Sequence, residues 1–167
     1  MFRKFTVIYL FFTVIIMPLF SYYLNRPASK DMDKVSLFFV DRQMMRLVES
    51  EFYISDSSPD EEAKTVVKEL IKGRDENKMI RRMLPEEKDA VTVYVENNIA
   101  YVDINKKYID FYEEGKAQEQ LIIYQLVNSL SSIDGISRVK FLFDGREVKE
   151  IFGEIDMREA FVPDYCI

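Results

Sequence analysis

Three runs of carboxylates are the residues of this chain best suited to chemistry: Asp60-Glu61-Glu62, Glu86-Glu87 with Asp89, and Glu113-Glu114. Such runs can ligate a hard cation or divide acid and base roles between neighbours. A glycosidase would need one acid with a raised pKa and a second carboxylate about 5–9.5 Å away. No isolated carboxylate in an apolar setting marks that arrangement. The first and third runs stand at helix starts, where negative charge gains about 0.3–1 kcal/mol from the backbone dipole. The second reads as a charged turn.

The remaining inventory narrows the chemistry further. Histidine is absent, which excludes imidazole triads, histidine metal sites and the usual pH switch. The single cysteine, Cys166, cannot form an internal disulfide, so a packed core must supply stability. Beyond Lys34 the chain holds 18 Lys or Arg against 27 Asp or Glu. Nucleic acid, which demands a basic face, is therefore an unlikely partner by charge alone. These observations predict no catalytic, cofactor-binding or metal-binding residues and no enzyme activity.

Residues suited to binding form a second set. Asn128 and Ser129 lie among apolar neighbours in a helical stretch, where they would touch a partner or hydrogen-bond an adjacent loop. Tyr108, Phe111 and Tyr112 would form an exposed interaction patch or fold back over a sheet edge. Tyr108, Phe111, Tyr112 and Asn128 are the candidate partner contacts. Phe161, Val162 and Tyr165 in the tail could cover an edge strand or add to a neighbour's sheet.

The elements that must position these residues follow from periodicity. Val35–Val40 and Met45–Ile54 read as paired strands. Ser58 reads as an N-cap, with Pro59 at the first helical position and Glu61 completing a capping box. Ala63, Val66, Val67, Leu70 and Ile71 then form one apolar stripe, and Gly73 ends the helix with a left-handed cap. Lys78–Lys88 is a connector. Val91–Val95 and Ala100–Ile104 form a hairpin about Asn97-Asn98. Gly115–Ile133 is a second, more broadly apolar helix, stopped by Asp134-Gly135. Val139–Phe143 is a strand, and Asp144-Gly145 predicts a hairpin with a return strand through Val148 and Ile151 towards Ile155. The order ββ-α-ββ-α-ββ predicts an α+β domain, with two helices packed on a mostly antiparallel sheet.

An N-terminal transmembrane helix precedes that domain in this reading. Phe5–Leu24 carries no charge and follows Arg3 and Lys4 directly. About 20 apolar residues span the hydrocarbon core, and the preceding positive pair keeps the N-terminus cytoplasmic. A cleaved signal peptide would have a shorter apolar run and a small-residue cleavage site. A lipoprotein would need a cysteine just after the run. The predicted organisation is a cytoplasmic N-terminus at 1–4, a signal anchor at 5–24 and a linker at 25–34. A domain at 35–153 and a tail at 154–167 follow. The chain is expected in the cell membrane as a single-pass protein with its C-terminal domain outside the cytoplasm.

The wording of several segments resembles the GerMN domain, also called the sporulation and spore germination domain. The matching segments are VSLFFVD from Val35, AKTVVKELIKG over Ala63–Gly73 and Leu84-Pro85. VTVYVENNIAYVDIN over Val91–Asn105 and LIIYQLVNSLSSIDGISRVKFLFDG over Leu121–Gly145 complete the set. Their order and spacing cover about 35–153. The resemblance implies a non-enzymatic domain of exported or membrane-attached proteins, related to the ring-building modules of secretion and sporulation channels. It implies an envelope or sporulation protein as partner, or self-assembly, with the membrane engaged through residues 5–24. In the best-known branch two such domains sit on a lipid anchor; this chain has one copy and an apolar helical anchor. An envelope-facing sensor that binds a wall fragment or small molecule is the alternative reading.

Overall fold

The computed structural model describes residues 32–43, 45–73, 80–81, 83–111, 116–150, 153 and 155–167. The apolar run Phe5–Leu24 lies outside the described residues. Among the described residues, no helix is long and apolar enough to cross a membrane.

Two strands open the domain: β1, Met32–Asp41, and β2, Leu47–Ser55, paired antiparallel from Met32↔Ser55 to Val40↔Leu47. Val35, Leu37 and Phe39 share one face of β1 and are buried in the core. Helix α1, Pro59–Lys72, follows with the expected bounds. The Ser58 side chain accepts from the Glu61 N–H at 3.4 Å, and Pro59 occupies the first turn. The reciprocal contact is made by a different residue. Glu62 Oε1 accepts from the Ser57 N–H at 3.0 Å, while Glu61 turns to Lys64. At Gly73, φ is 68° and ψ is 161°, a backbone region essentially restricted to glycine. Its N–H closes the helix on the Glu69 carbonyl at 3.1 Å.

A two-residue strand, β3 at Ile80–Arg81, pairs with Val40 and Asp41 within the stretch read as a connector. Strands β4, Val91–Glu96, and β5, Ile99–Ile104, form the central hairpin. Asn97 and Asn98 both take positive φ at its tip, as the tight turn requires. A 3-10 helical turn over Lys106–Phe111 leads to α2, Lys116–Leu130, and then to β6, Arg138–Phe143. β6 pairs parallel with β5, the crossover being made through α2.

The architecture is α+β, as expected, but it holds two three-stranded sheets, β2-β1-β3 and β4-β5-β6. One physical reason for the division is visible at β1. Among the described residues, its second edge meets a strand only at Val40 and Asp41. Ser129 Oγ accepts from the Phe38 N–H at 2.8 Å, and Ser132 Oγ accepts from the Ser36 N–H at 3.0 Å. Ser132 also donates to the Ser36 carbonyl. Ser129 of helix α2 and Ser132 just beyond it thus satisfy the strand's edge backbone with hydroxyls. The helix ends at Leu130 rather than Ile133, because the following residues turn to make these contacts.

The predicted return strand after Asp144-Gly145 is the second correction. Asp144 and Gly145 do take positive φ, and Phe143 and Arg146 exchange backbone hydrogen bonds across the turn. Residues 147–150, Val148 among them, form no strand, and Ile151 lies outside the described residues. Asp103 Oδ1 accepts from the Gly145 N–H, so the turn is tied back to β5. The place beside β6 is taken by the tail, where Phe161 exchanges both backbone hydrogen bonds with Val139.

The hydroxyl contact generates a stability prediction. Ser129→Ala leaves the buried Phe38 N–H without its acceptor, which costs about 1–3 kcal/mol. A lower denaturant midpoint with an unchanged slope in chemical unfolding is the expected result.

Candidate interaction surface

Asn128 and Ser129 occupy adjacent positions of α2 and are fully buried. They serve different elements. Ser129 holds β1, as described, while the Asn128 amide grips the tail at both ends. Its Nδ2 donates to the Asp164 carbonyl at 2.7 Å, and its Oδ1 accepts from the Asp164 N–H at 2.9 Å. Beyond that clamp Tyr165 lies against Phe38, with ring centroids 5.5 Å apart. The Ile167 carbonyl accepts from the Leu47 N–H at 3.3 Å. The tail therefore runs from β6 past α2 to the outer face of β1 and β2.

Tyr108 sits in the 3-10 turn, half-buried and packed against the core. Its hydroxyl donates to Asp89 Oδ1 at 2.7 Å, and Lys107 Nζ lies 4.8 Å from its ring centroid. Phe111 ends the same turn. Tyr112 lies outside the described residues. The hydrogen-bond partners of Tyr108 and Asn128, Asp89 and Asp164, are distinct.

The carboxylates of the α1 start are held by structural contacts. Asp60 Oδ1 accepts from the Val95 N–H at 2.9 Å, and Lys64 Nζ reaches its Oδ2 at 2.7 Å. Those two bonds, the lysine first, hold the Asp60 carboxyl below its ordinary value of 3.8. Glu62 is buried and bound to Ser57. Across the strand ends it joins Asp33 and Asp56, the three offering oxygens within 4.8 Å of one another. Among the described residues these three come nearest to a hard-cation site. No spacing in the sequence announces them, since strand pairing alone brings Asp33 to Asp56. Glu119 is likewise buried, and its Oε1 accepts from the Ile155 N–H.

A groove of about 770 Å³ runs between α1 and β4. Val67 and Ile71 line it from the helix, and Val91 and Val93 from the strand. Lys64, Lys68 and Lys72 border it at every fourth helical position, with Lys88 and Glu86 on the connecting turn. β4 is the outermost strand of its sheet. A smaller, more polar hollow of about 440 Å³ lies under the tail between Ser36, Glu49, Asn128 and Tyr165.

Comparison with known structures places this fold in the GerMN class. The tandem GerMN domains of the sporulation protein GerM from Bacillus subtilis superpose with a TM-score of 0.61 at 21% identity. The match covers 79% of this chain and 46% of the tandem, so the chain spans about half that structure's length. The first GerMN domain of the same protein gives a TM-score of 0.60 at 20% identity, over 78% of this chain and 97% of that one. The chain belongs to the sporulation and spore germination (Germane) family, whose pattern it matches over residues 36–149. No curated protein sequence matches it.

Two predictions arise from the contacts above. Asn128→Ala removes both ends of the tail clamp, so hydrogen exchange at the Asp164 amide should accelerate more than tenfold while β4 and β5 amides keep their protection. Asp60 has a depressed folded pKa, so its contribution is present above about pH 3.8 and lost as pH falls through the folded value. Asp60→Asn should therefore lower the melting temperature at neutral pH, with the gap to the unaltered protein closing in strong acid.

Proposed function

We propose that the chain is a membrane-anchored, extracytoplasmic GerMN-type protein that acts as a non-enzymatic interaction or assembly module in sporulation or spore germination. Family membership supports the process. The uncharged run Phe5–Leu24 behind Arg3 and Lys4 supports the anchor and the outward orientation. The observation that carries the interaction reading is how the polar groups are spent. Asp60, Glu62 and Glu119 are bound to backbone N–H groups of neighbouring segments, while a groove bordered by lysines and the partly exposed Ile71 remains between α1 and β4. Carboxylates so engaged suit scaffolding better than proton transfer.

A second reading draws on the same groove. Its volume falls in the range of small-molecule sites, about 300–1,000 Å³. A sensor of a wall fragment would use it, and a reproducible rise in melting temperature with such fragments would favour that reading.

The anchor is tested by removing residues 1–30 while retaining export through a cleavable signal. The folded, exported domain is expected to fail in complementing a deletion strain, and a fluorescent fusion of the full chain should collect at the engulfing septum or forespore membrane. Full complementation by the untethered form would remove the anchor from the proposal.

A further inference from the structure

We infer that the groove between α1 and β4 takes an extended acidic segment of a partner protein, which adds to β4 as a further strand. The inference rests on the interaction-module reading and names the chemistry of its partner. Its first support is the backbone. The Ala90 carbonyl accepts from the Asn105 N–H, on the side of β5. By strand alternation Val91, Val93 and Val95 turn their N–H and C=O groups the other way, to the open edge. The Val95 N–H there already meets a carboxylate, that of Asp60 at 2.9 Å. Asp60 thus occupies one end of the edge as an incoming strand's acceptor would. The N–H groups of Val91 and Val93 have no edge-side partner among the described residues.

The second support is the matching of spacings. Asp60 lies by Val95 at one end of the groove, and Lys72 lines it with Val91 at the other. Helix and strand therefore run side by side in opposite directions. Lysines four apart on a helix recur about every 6 Å along its axis. Alternate residues of a strand recur about every 6.8 Å. An added strand with carboxylates at alternate positions would meet Lys64, Lys68 and Lys72 in turn, its backbone bonding to β4. The other alternate side chains would point to the opposite face of the sheet, beside the exposed Thr92. Docking of an extended peptide between an edge strand and a helix is an established recognition mode, with backbone bonds giving affinity and side chains specificity.

Charge sets the sign of the partner. The protein carries −6 overall, yet four lysines and one glutamate, Glu86, border this groove. Lys64 is paired with Asp60 and Glu61, and Lys72 with Glu69 at 3.6 Å. Lys68 and Lys88 make no ion pair among the described residues. Solvent-exposed pairs of the first kind contribute little and can be shared with an incoming carboxylate.

The experiment uses the full chain in detergent micelles and a fluorescein-labelled hexapeptide of alternating Val and Glu, read by anisotropy. Saturable binding is expected, with slowed hydrogen exchange at the Val91 and Val93 amides. An alternating Val and Lys peptide should not bind, and methylation of the Glu peptide's backbone nitrogens should abolish binding. Lys68→Glu with Lys88→Glu should weaken binding about tenfold or more while leaving the melting temperature unchanged. The proposal is overturned by no saturation up to millimolar peptide, by equal binding of the lysine peptide, or by indifference to methylation. The methylation comparison needs no variant, so misfolding cannot obscure it. Complementation by the full-length double variant, alongside failure of the anchor-deleted form, would overturn the groove and leave the module reading standing.

Discussion

Two serine hydroxyls at the end of one helix, on Ser129 and the turn residue Ser132, determine how this domain is put together. β1 has a full partner in β2 on one side and only the short β3 on the other. Its remaining edge groups at Ser36 and Phe38 would be costly if buried without partners. Ser129 of α2 and Ser132 just beyond its end meet them, so this segment substitutes for a missing strand. That substitution covers the edge of β1 at Ser36 and Phe38, and it fixes the end of α2 against β1. With α2 so fixed, Leu126, Val127 and Leu130 contribute to the common core. The neighbouring Asn128 is placed to hold the tail.

The tail completes the second sheet in a comparable way. Phe161 pairs with Val139 and packs edge-to-face on Phe141 and Tyr124. With the β6 side occupied over that residue, β4 is the longer open margin of the sheet. A serine pair thus covers edge positions of β1 and a tail bridge one of β6, while the edge of β4 lies beside a groove bordered by lysines.

Much of this was legible in the chain where local chemistry decides the outcome. Ser58, Pro59 and Gly73 bounded α1 because capping and φ preference act within a few residues. Asn97-Asn98 gave the hairpin for the same reason. Asp144-Gly145 shows the limit: the turn forms, but residues 147–150 beyond it form no strand, Asp103 holding the turn and Phe161 the edge of β6. The parallel pairing of β5 with β6 and the two-residue β3 depend on contacts distant in sequence, which periodicity cannot rank. At the candidate surface, the spacing of Lys64, Lys68 and Lys72 is visible in the sequence. That β4 is outermost is not. Asn128 and Ser129 stand out by their apolar surroundings, but Ser132, which shares the role of Ser129, carries no comparable signal.

The hydroxyl contacts also have a kinetic meaning. Ser36 and Ser132 are 96 positions apart, and Phe38 and Ser129 are 91 apart. Contacts of such separation are slow to form, because a long loop must close before they are rewarded. As the chain is made from its N-terminus, β1 can pair with β2 early, yet its second edge stays open until α2 exists. The β6 edge waits longer still, for Phe161 near the end of the chain. Each interval leaves an uncovered strand margin of the kind that templates aggregation. The same devices that guard the finished domain make its newborn form the vulnerable one.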